Sequence, residues 1–444
     1  MWWNNIIIYQ IYIRSFNNNL LGIIEKIPYL KKLNIDAIWI NPFFPDGGKD
    51  GGYDIIDYYN INNKIGTMND FNVLINNLNK NNIKIIIDLP LNHTSNKHKW
   101  FMDSVYKRNA KDDWYIWKTK ENIHKNWKSI FEKTPWEYNK IRDEYYYHYF
   151  YKEQPDLNIA NHLVQEEIFN IIKFWINKGI NGIRFDAISN FICNDDLNNI
   201  DNNKLTMQLN TKDTFDYINI LCKKIKNLNK NIFLIGEQDP FYSSIYHETE
   251  LLKSLDSIFN FNFAYSNNFS LINLKNLLSN NNPNKILFTN NHDVDRNRYG
   301  EDDLKIAKII CLILLTKNNT KIIYYGQEIG MWNCKNNFID NYGRDICRAP
   351  MQWYNNKKKY DLNKDWIELS DNYKIRNVED QANDTHSLLN WYIKIIKISK
   401  VLTGNIFNIE TNENILSYKR RTINNEIYKF TINFNNNDCM IELL

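Results

Sequence analysis

Four short stretches of the sequence place a carboxylate at or just after an apolar run. Asp88 opens DLPLNH, Asp186 ends GIRFD, Glu237 ends FLIGE and Asp293 ends NHD. Paired carboxylates, one ionised and one kept protonated by its surroundings, are the groups that cleave glycosidic bonds. A metal site is the rival interpretation, because Asp, Glu and His are also metal ligands. No pair of histidines has helical i, i+4 spacing and no ligands cluster closely, which favours the sugar interpretation.

The same stretches carry basic side chains, namely His93, Arg184 and His292. A single Asp at the end of a strand most often caps the following helix. Acidic and basic side chains recur across the four stretches. If they had no common function, each would need its own unrelated helix cap or ion pair. We therefore interpret these residues as one functional site.

Alternating strands and helices must position these side chains, and we predict eight strands. They cover Ile6–Ile13, Ala37–Ile40, Ile83–Leu89, Gly182–Asp186, Ile232–Glu237, Ser257–Phe261, Lys285–Thr289 and Lys321–Tyr324. Amphipathic segments predict helices over Phe71–Lys80, Gln165–Asn177, Leu304–Thr316 and Leu388–Lys400. Parallel strands need helical crossovers, so this alternation predicts an α/β fold, a (β/α)8 TIM barrel. In such barrels the active site lies at the carboxyl ends of the strands.

Two segments interrupt the alternation. Residues 93–161 are polar, aromatic and too long for an ordinary loop, which predicts a small domain inserted after the third strand. After residue 401 the pattern alternates, which predicts a small C-terminal β-domain over 401–444. The barrel would then comprise residues 1–92 and 162–400.

Composition excludes several classes of partner. The net charge is +4 over 444 residues without a basic stripe, which argues against nucleic acid. Six cysteines without a C-x-x-C pair fit reduced thiols in a cytoplasmic protein. No run approaches the ~20 apolar residues of a membrane span. We expect a cytoplasmic protein with a small neutral substrate, and the sequence does not indicate its oligomeric state.

The four stretches resemble, in order and spacing, the main blocks of the α-amylase family of glycoside hydrolases (family 13). Three further stretches resemble its oligo-1,6-glucosidase and α-glucosidase branch: QPDLN at 154–158, YYGQE at 324–328 and RAPMQW at 348–353. The resemblance runs from about Tyr9 to Trp391.

That resemblance assigns catalytic roles to three carboxylates. Asp186 would be the nucleophile that forms a covalent glucosyl-enzyme, and Glu237 would protonate the leaving oxygen and then deprotonate water. Asp293 would bind the 2- and 3-hydroxyls of the glucose ring. We expect the Asp186 and Glu237 carboxyl groups ~5–5.5 Å apart, as in retaining enzymes.

The resemblance also assigns roles in substrate binding. Arg184 would keep Asp186 ionised, while His93 and His292 would donate hydrogen bonds to sugar hydroxyls.

A further stretch, DGGY at 50–53, matches a loop of the same branch. There Tyr53 would stack on the glucose ring. Asp50 would pair with Arg348 and close the bottom of the pocket, so that only a terminal glucose enters.

Three features depart from the branch. Ser15–Gly22 has no carboxylate where relatives carry an Asp-rich calcium loop, so we expect no metal there and no cofactor. The segment between Met331 and Arg344 is short, which would trim a lid over the leaving group. Ala187 stands where α-1,6-specific enzymes tend to carry Val, which leaves α-1,4 linkages, sucrose and trehalose open.

The resulting interpretation is a retaining, exo-acting α-glucosidase for short α-glucosides such as malto-oligosaccharides or sucrose. A transglucosylase or isomerase of the same branch, with sucrose- or trehalose-related products, is the alternative. Arg296 and Arg298 resemble the α-glucosidases more than the trehalose synthases. A non-catalytic sugar-binding barrel is a third interpretation, although it would be expected to have lost the carboxylates.

Overall fold

A computed structural model describes residues 1–194, 207–265, 271–280, 282–296, 303–335, 343–360 and 366–444. The strands are β1 (Ile7–Ile11), β2 (Ala37–Ile40), β3 (Lys84–Pro90), β4 (Trp117–Lys118), β5 (Trp136–Asn139), β6 (Glu144–Tyr147), β7 (Gly182–Asp186), β8 (Phe233–Gly236), β9 (Ser257–Phe259), β10 (Lys285–Ile286), β11 (Lys321–Tyr324), β12 (Leu402–Asn412), β13 (Ile415–Thr422), β14 (Ile427–Asn433) and β15 (Asp438–Leu443).

The helices are α1 (Ile13–Asn17), α2 (Leu20–Glu25), α3 (Ile27–Lys32), α4 (Met68–Lys80), α5 (Lys99–Val105), α6 (His162–Asn177), α7 (Lys212–Leu228), α8 (Ile245–Leu252), α9 (Phe261–Ala264), α10 (Leu271–Ser279), α11 (Asp303–Thr316), α12 (Val378–Asn383) and α13 (Leu388–Val401). Within the ranges described above, no helix is long and apolar enough to cross a membrane.

Eight strands, β1–β3 and β7–β11, make up the parallel sheet of a (β/α)8 barrel, so the predicted TIM-barrel class is confirmed. The chain divides into two compact units, each described by itself below. The first unit comprises Met1–Trp39, Asn77–Ile83 and Asn260–Leu444. The second unit comprises Ile40–Asn76 and Lys84–Phe259.

In the second unit β3 pairs with β7, β7 with β8, and β8 with β9, all in parallel. Each of these strands is buried along almost its whole length, which explains why its sequence is a nearly unbroken apolar run. The register sets Asp88 beside Arg184 and Phe185 beside Gly236. Carboxylates at the ends of β3, β7 and β8 are thereby brought level with one another.

The inserted segment folds around its aromatic residues. Three short antiparallel strands lie in the order β4-β6-β5. Trp127 and Trp136 are each 5% exposed and pack with Tyr147, so these tryptophans build a core. The boundaries at 93 and 161 remain a prediction.

In the first unit β1 pairs in parallel with β11, from Ile7 beside Lys321 to Gln10 beside Tyr324. The predicted first strand, Ile6–Ile13, is three residues longer than β1, with one extra residue at its start and two at its end, where α1 begins at Ile13. The backbone N–H of Phe16 bonds the carbonyl of Tyr12 there, and the helix buries the same apolar side chains that a longer strand would.

The end of the chain forms a four-stranded antiparallel sheet in the order β12-β13-β14-β15. Tyr418 and Phe430 stack inside it with ring centroids 5.1 Å apart. The predicted C-terminal β-domain is confirmed as a fold, and its first boundary stays a prediction.

Candidate active site

In the second unit one buried arginine contacts three carboxylates. Arg184 lies in the middle of β7 with its side chain 1% exposed. Its Nη1 lies 2.7 Å from Asp88 Oδ1 and also bonds Asp186 Oδ1, while its Nη2 lies 2.8 Å from Glu237 Oε1. We call these four residues the Arg184 cluster. The structure therefore brings the predicted nucleophile and the predicted acid to one guanidinium.

Strand geometry explains this convergence. Arg184 and Asp186 are two residues apart and so point to the same face of β7. Glu237 follows the last residue of β8, and its N–H bonds the carbonyl of Phe185 at 3.0 Å. A Cβ on Gly236 would lie 2.5 Å from Leu255 Cδ1, so a larger residue directly before this acid would force the Leu255 side chain to shift.

The second oxygen of Glu237 is held by the backbone after the nucleophile. The N–H of Ala187 lies 3.1 Å from Glu237 Oε2. Ala187 has φ 46°, a left-handed conformation that costs a non-glycine residue about 1–2 kcal/mol. Both oxygens of Glu237 thus have fixed partners, which orients this carboxyl group. Its separation from the Asp186 carboxyl remains a prediction.

Asp88 is the third carboxylate of the cluster, and it has further partners. The Tyr53 hydroxyl donates to Asp88 Oδ2 at 2.8 Å, and Asn41 Nδ2 donates to that hydroxyl at 2.8 Å. Burial raises the pKa of Asp88 to about 7, against the opposing effect of Arg184. Asp88 belongs to the first motif, DLPLNH. Asn41 lies in none of the motifs, so its contact with the site was not predicted.

His93 lies in a buried hydrogen-bond network. Gln154 Nε2 donates to Asp50 Oδ2 at 3.0 Å and lies 3.1 Å from His93 Nε2. The same ring nitrogen lies 3.2 Å from the carbonyl of Tyr53. Burial lowers the pKa of His93 to about 4, so the imidazole is neutral at pH 7. The network joins the DGGY loop to the QPDLN stretch.

Asp156 in QPDLN makes a second link of this kind. Asn92 Nδ2 donates to Asp156 Oδ2 at 2.9 Å, and the N–H of Tyr149 donates to Oδ1 at 3.0 Å. Burial raises the pKa of Asp156 to about 7. The QPDLN motif therefore fixes the inserted segment to the end of β3, a role that its sequence alone did not indicate.

In the first unit the arrangement is reversed, because one carboxylate contacts several cationic or polar donors. Asp293 Oδ1 lies 2.9 Å from Arg348 Nη2 and 3.1 Å from Arg344 Nη1, and Oδ2 lies 2.9 Å from His292 Nε2. We call these four residues the Asp293 cluster. Burial acts to raise the pKa of Asp293, but His292, Arg344 and Arg348 outweigh it and hold that pKa well below its ordinary value.

Neighbouring groups orient the donors of this cluster. Gln10 Nε2 lies 2.9 Å from His292 Nδ1, while the other ring nitrogen, Nε2, faces Asp293 Oδ2. Arg348 Nε donates to the carbonyl of His292 at 2.8 Å. Arg344 was not predicted, although it lies four residues before Arg348 in the short 3-10 helix Arg344–Arg348. That spacing is the signal that could have revealed it.

Two predictions concerning arginines have different outcomes. Asp50 belongs to the second unit and Arg348 to the first, and their pairing stays a prediction. Arg296 is buried and donates to the carbonyls of Tyr325 and Cys347 at 2.7 and 3.1 Å. Arg298 lies outside the described residues, as does part of the short segment before Arg344.

The segment Ser15–Gly22 is held by hydrogen bonds. Ser15 Oγ donates to the carbonyl of Arg348 and accepts from Trp366 Nε1 at 2.8 Å, and Asn19 accepts from the N–H of Gly22 at 2.9 Å. Across the described ranges of the chain, no group of three or more His, Cys, Asp or Glu side chains could hold a metal ion. The expectation that this segment binds no metal remains a prediction.

Comparison with known proteins follows the same motifs. A family model described as "Alpha amylase, catalytic domain" matches residues 10–404. The chain is 32% identical to an oligo-1,6-glucosidase of Bacillus cereus, over 100% of this chain and 92% of that protein. It is 34% identical to alpha-amylase 3 of Dictyoglomus thermophilum, over 98% and 87%. The crystal structure of an isomaltulose synthase from Protaminobacter rubrum superposes with a TM-score of 0.87 at 29% identity, over 98% and 91%.

Proposed function

Because this chain belongs to the α-amylase family of glycoside hydrolases, we propose that it is a retaining, exo-acting α-glucosidase. Its substrates would be short α-glucosides such as malto-oligosaccharides or sucrose. The observation that carries the proposal is the Arg184 guanidinium bonded to both Asp186 and Glu237. The oligo-1,6-glucosidase and α-glucosidase names of its relatives support the same activity.

The proposed reaction has two steps. Asp186 attacks the anomeric carbon while Glu237 gives its proton to the leaving oxygen, and the glycosidic bond breaks as the Asp186–glucose ester forms. Glu237 then takes a proton from water, and the resulting hydroxide displaces Asp186 and releases glucose with its original anomeric configuration. Arg184 bonds Asp186 Oδ1 and would favour the carboxylate before it attacks and again when it leaves in the second step.

We extend to Asp293 the role of its family counterpart, which binds the ring 2- and 3-hydroxyls. Its depressed pKa supports this role, since an ionised carboxylate accepts hydrogen bonds from both hydroxyls. His292, whose Nε2 faces Asp293, would donate to sugar and to charge that develops on the ring.

The pocket floor is proposed from the DGGY loop. The hydroxyl of Tyr53 is bonded to Asp88 and Asn41, which fixes the ring for stacking on glucose. His93 is neutral and would act through hydrogen bonding alone. Asp50 paired with Arg348 would close the pocket beneath the ring and limit the enzyme to terminal glucose units.

The deciding experiment is product analysis on maltose, sucrose, trehalose and isomaltose, with the first anomer of glucose recorded by NMR. We expect α-glucose first, and glucose as the sole monosaccharide from linear maltodextrin. β-Glucose first would contradict retention, and mixed oligosaccharides from starch would contradict exo action. Ala187 predicts slow turnover of isomaltose relative to maltose, although the relatives include enzymes named oligo-1,6-glucosidases.

An isomerase is the second candidate, favoured by the structural similarity to isomaltulose synthases. The same panel separates the two functions. A hydrolase converts sucrose to equal amounts of glucose and fructose, whereas an isomerase returns a different disaccharide with little free glucose.

We also propose a cytoplasmic location. All six cysteines are free, and four of them are buried as thiols, which suits a reducing compartment. Cell fractionation with an antibody to this chain would test the location.

A further inference from the structure

Four large apolar side chains are exposed within six consecutive positions of the second unit. Phe241 is 70% exposed, Tyr242 49%, Ile245 82% and Tyr246 64%. We call these residues the 241–246 platform. Burying such side chains stabilises by roughly 1.5–3 kcal/mol each, so a cluster left in water marks a surface that binds something.

The platform lies at the catalytic end of the barrel strands. Phe241 comes four residues after Glu237, and four extended residues span at most ~14 Å. Ile245 and Tyr246 open the first turn of α8, the helix that follows β8. Because the loop from β8 to α8 lies at the carboxyl end of the strand, the platform lies at the same end as Asp186 and Glu237.

Hydrogen bonds fix the backbone of this loop. Asp239 Oδ1 accepts from the N–H groups of Phe241 and Tyr242 at 2.9 and 2.8 Å, and the N–H of Asp239 donates to Ser189 Oγ at 3.0 Å. Asn210 Nδ2 donates to the carbonyl of Tyr242 at 3.4 Å. An ordered loop loses little conformational entropy on binding, which favours a binding surface over a mobile tip.

The chemistry of the platform suits a neutral, hydroxylated chain. Residues 240–246 include no acidic or basic side chain. Burial lowers the pKa of the adjacent His247, which keeps that ring neutral. Aromatic faces pack on the C–H faces of sugar rings, and the hydroxyls of Tyr242 and Tyr246 can bond sugar hydroxyls. Lys212 and Lys253 lie within electrostatic range of Tyr246, but each is already paired with an acid, Asp216 and Glu250 respectively.

We propose that the 241–246 platform binds the leaving-group part of the substrate. Its ligand is a neutral oligosaccharide that extends at least two sugar units beyond the bond to be cleaved. The inference rests on the proposed function, because Glu237 as proton donor sets the side from which the leaving group departs. The enzyme would thus select oligosaccharides over disaccharides.

The test compares maltose with maltohexaose in a Phe241→Ser/Tyr242→Ser variant and an Ile245→Ser/Tyr246→Ser variant. We expect kcat/KM for maltohexaose to fall at least tenfold through a higher KM, while kcat/KM for maltose changes less than twofold. Ile141→Ser is the matched control, since Ile141 is 59% exposed in the same unit. This substitution should change kcat/KM for neither maltose nor maltohexaose.

Binding separates this inference from the proposed function. Calorimetry with maltohexaose on Asp186→Asn enzyme, with and without the platform substitutions, measures the platform without turnover. If the platform substitutions abolish maltohexaose binding, the proposed binding role of the platform is supported, even if the parent enzyme hydrolyses none of the four disaccharides. Unchanged binding and kinetics would overturn it while leaving the α-glucosidase intact. A parent dimer that becomes a monomer on substitution, with kinetics unchanged, would also overturn it.

Discussion

The two charged clusters have opposite compositions. In the Arg184 cluster one cation serves three carboxylates, whereas in the Asp293 cluster one carboxylate is shared by two arginines and a histidine. In the first arrangement burial raises the pKa of Asp88 to about 7, although Arg184 acts to lower it. The second has donors in excess, so Asp293 stays ionised.

The difference suits the two proposed tasks. Cleavage requires an acid that gives up and takes back a proton, which is the role proposed for Glu237. Binding of sugar hydroxyls requires a carboxylate that stays ionised, and the donors around Asp293 hold its pKa low.

The largest effect is expected from two substitutions on the same guanidinium. Asp186→Asn and Asp88→Asn each remove one carboxylate from Arg184, but only the first removes the proposed nucleophile. We expect kcat on an aryl α-glucoside to fall by ~10⁴-fold for Asp186→Asn and by about tenfold to a hundredfold for Asp88→Asn. Glu237→Gln should lose orders of magnitude as well. Equal losses for Asp186→Asn and Asp88→Asn, with Tm unchanged, would mean that charge balance and not nucleophilicity explains the defect.

The Asp293 cluster offers a matched pair of arginines. Arg348 and Arg344 contact the same oxygen, but the Arg348 side chain is fully buried and that of Arg344 is 18% exposed. Arg348→Ala should cost about 1–3 kcal/mol of unfolding free energy, since it removes a fully buried guanidinium and a charged hydrogen-bond partner of Asp293, whose side chain is 29% exposed. Arg344→Ala should cost about 1 kcal/mol or less. Denaturant melts measure both, and activity on maltose should fall more for Arg348→Ala.

A smaller effect concerns stability against pH. Burial raises the pKa of Asp54, Asp88 and Asp156 to about 7, so between pH 4 and 7 the folded protein binds protons that the unfolded chain has lost. Stability should therefore fall as pH rises through that window. Thermal melts at pH 5 and pH 7.5 test this, and Asp88→Asn should show a shallower decrease in Tm.

Asp293 contributes in the opposite sense. Its pKa is lowered, so its contribution is present above pH 4 and is lost as pH falls further. If Tm of the parent and of Asp88→Asn decreased in parallel between pH 5 and 7.5, the proton assigned to Asp88 would belong elsewhere.

The smallest expected effect is that of a chelator. The segment Ser15–Gly22 has no carboxylate, and hydrogen bonds of Ser15 and Asn19 hold it in place. EDTA should leave Tm and activity unchanged. A Tm lowered by several degrees and restored by calcium would show that this interpretation of the segment is wrong.

The barrel strands could be predicted closely because each is short, apolar and almost wholly buried. β7 and β11 match the predicted bounds, whereas the predicted first strand ran into α1, whose buried side chains continue the same pattern. β12 was not delimited, because its eleven residues alternate weakly and its register shifts around Phe407. An apolar pattern shows which residues are buried. It distinguishes a helix from a strand only where the helical and strand periods predict different buried positions.

Prediction of the clusters was less complete. The motifs contain Arg184, Asp186 and Glu237, but they could not show that one guanidinium binds both acids and Asp88. Gln10 and Asn41 orient site residues through single hydrogen bonds, which leave no trace in composition or spacing. Nor could sequence give the protonation of Asp88, since that depends on burial and on the number of neighbouring charges.

The pairing of β1 with β11 has a consequence for how the chain is made. Ile7 lies beside Lys321, and Ser15 bonds Arg348 and Trp366, so β1 can pair with β2 early, but its other edge has no strand partner until most of the chain has been translated. At roughly 5–20 residues per second that delay is on the order of a minute or less. Strands β3, β7, β8 and β9 can pair once residue 259 has left the ribosome. One edge of the first apolar strand is thus among the last to be joined, and in the interval that edge is a target for chaperones and for aggregation.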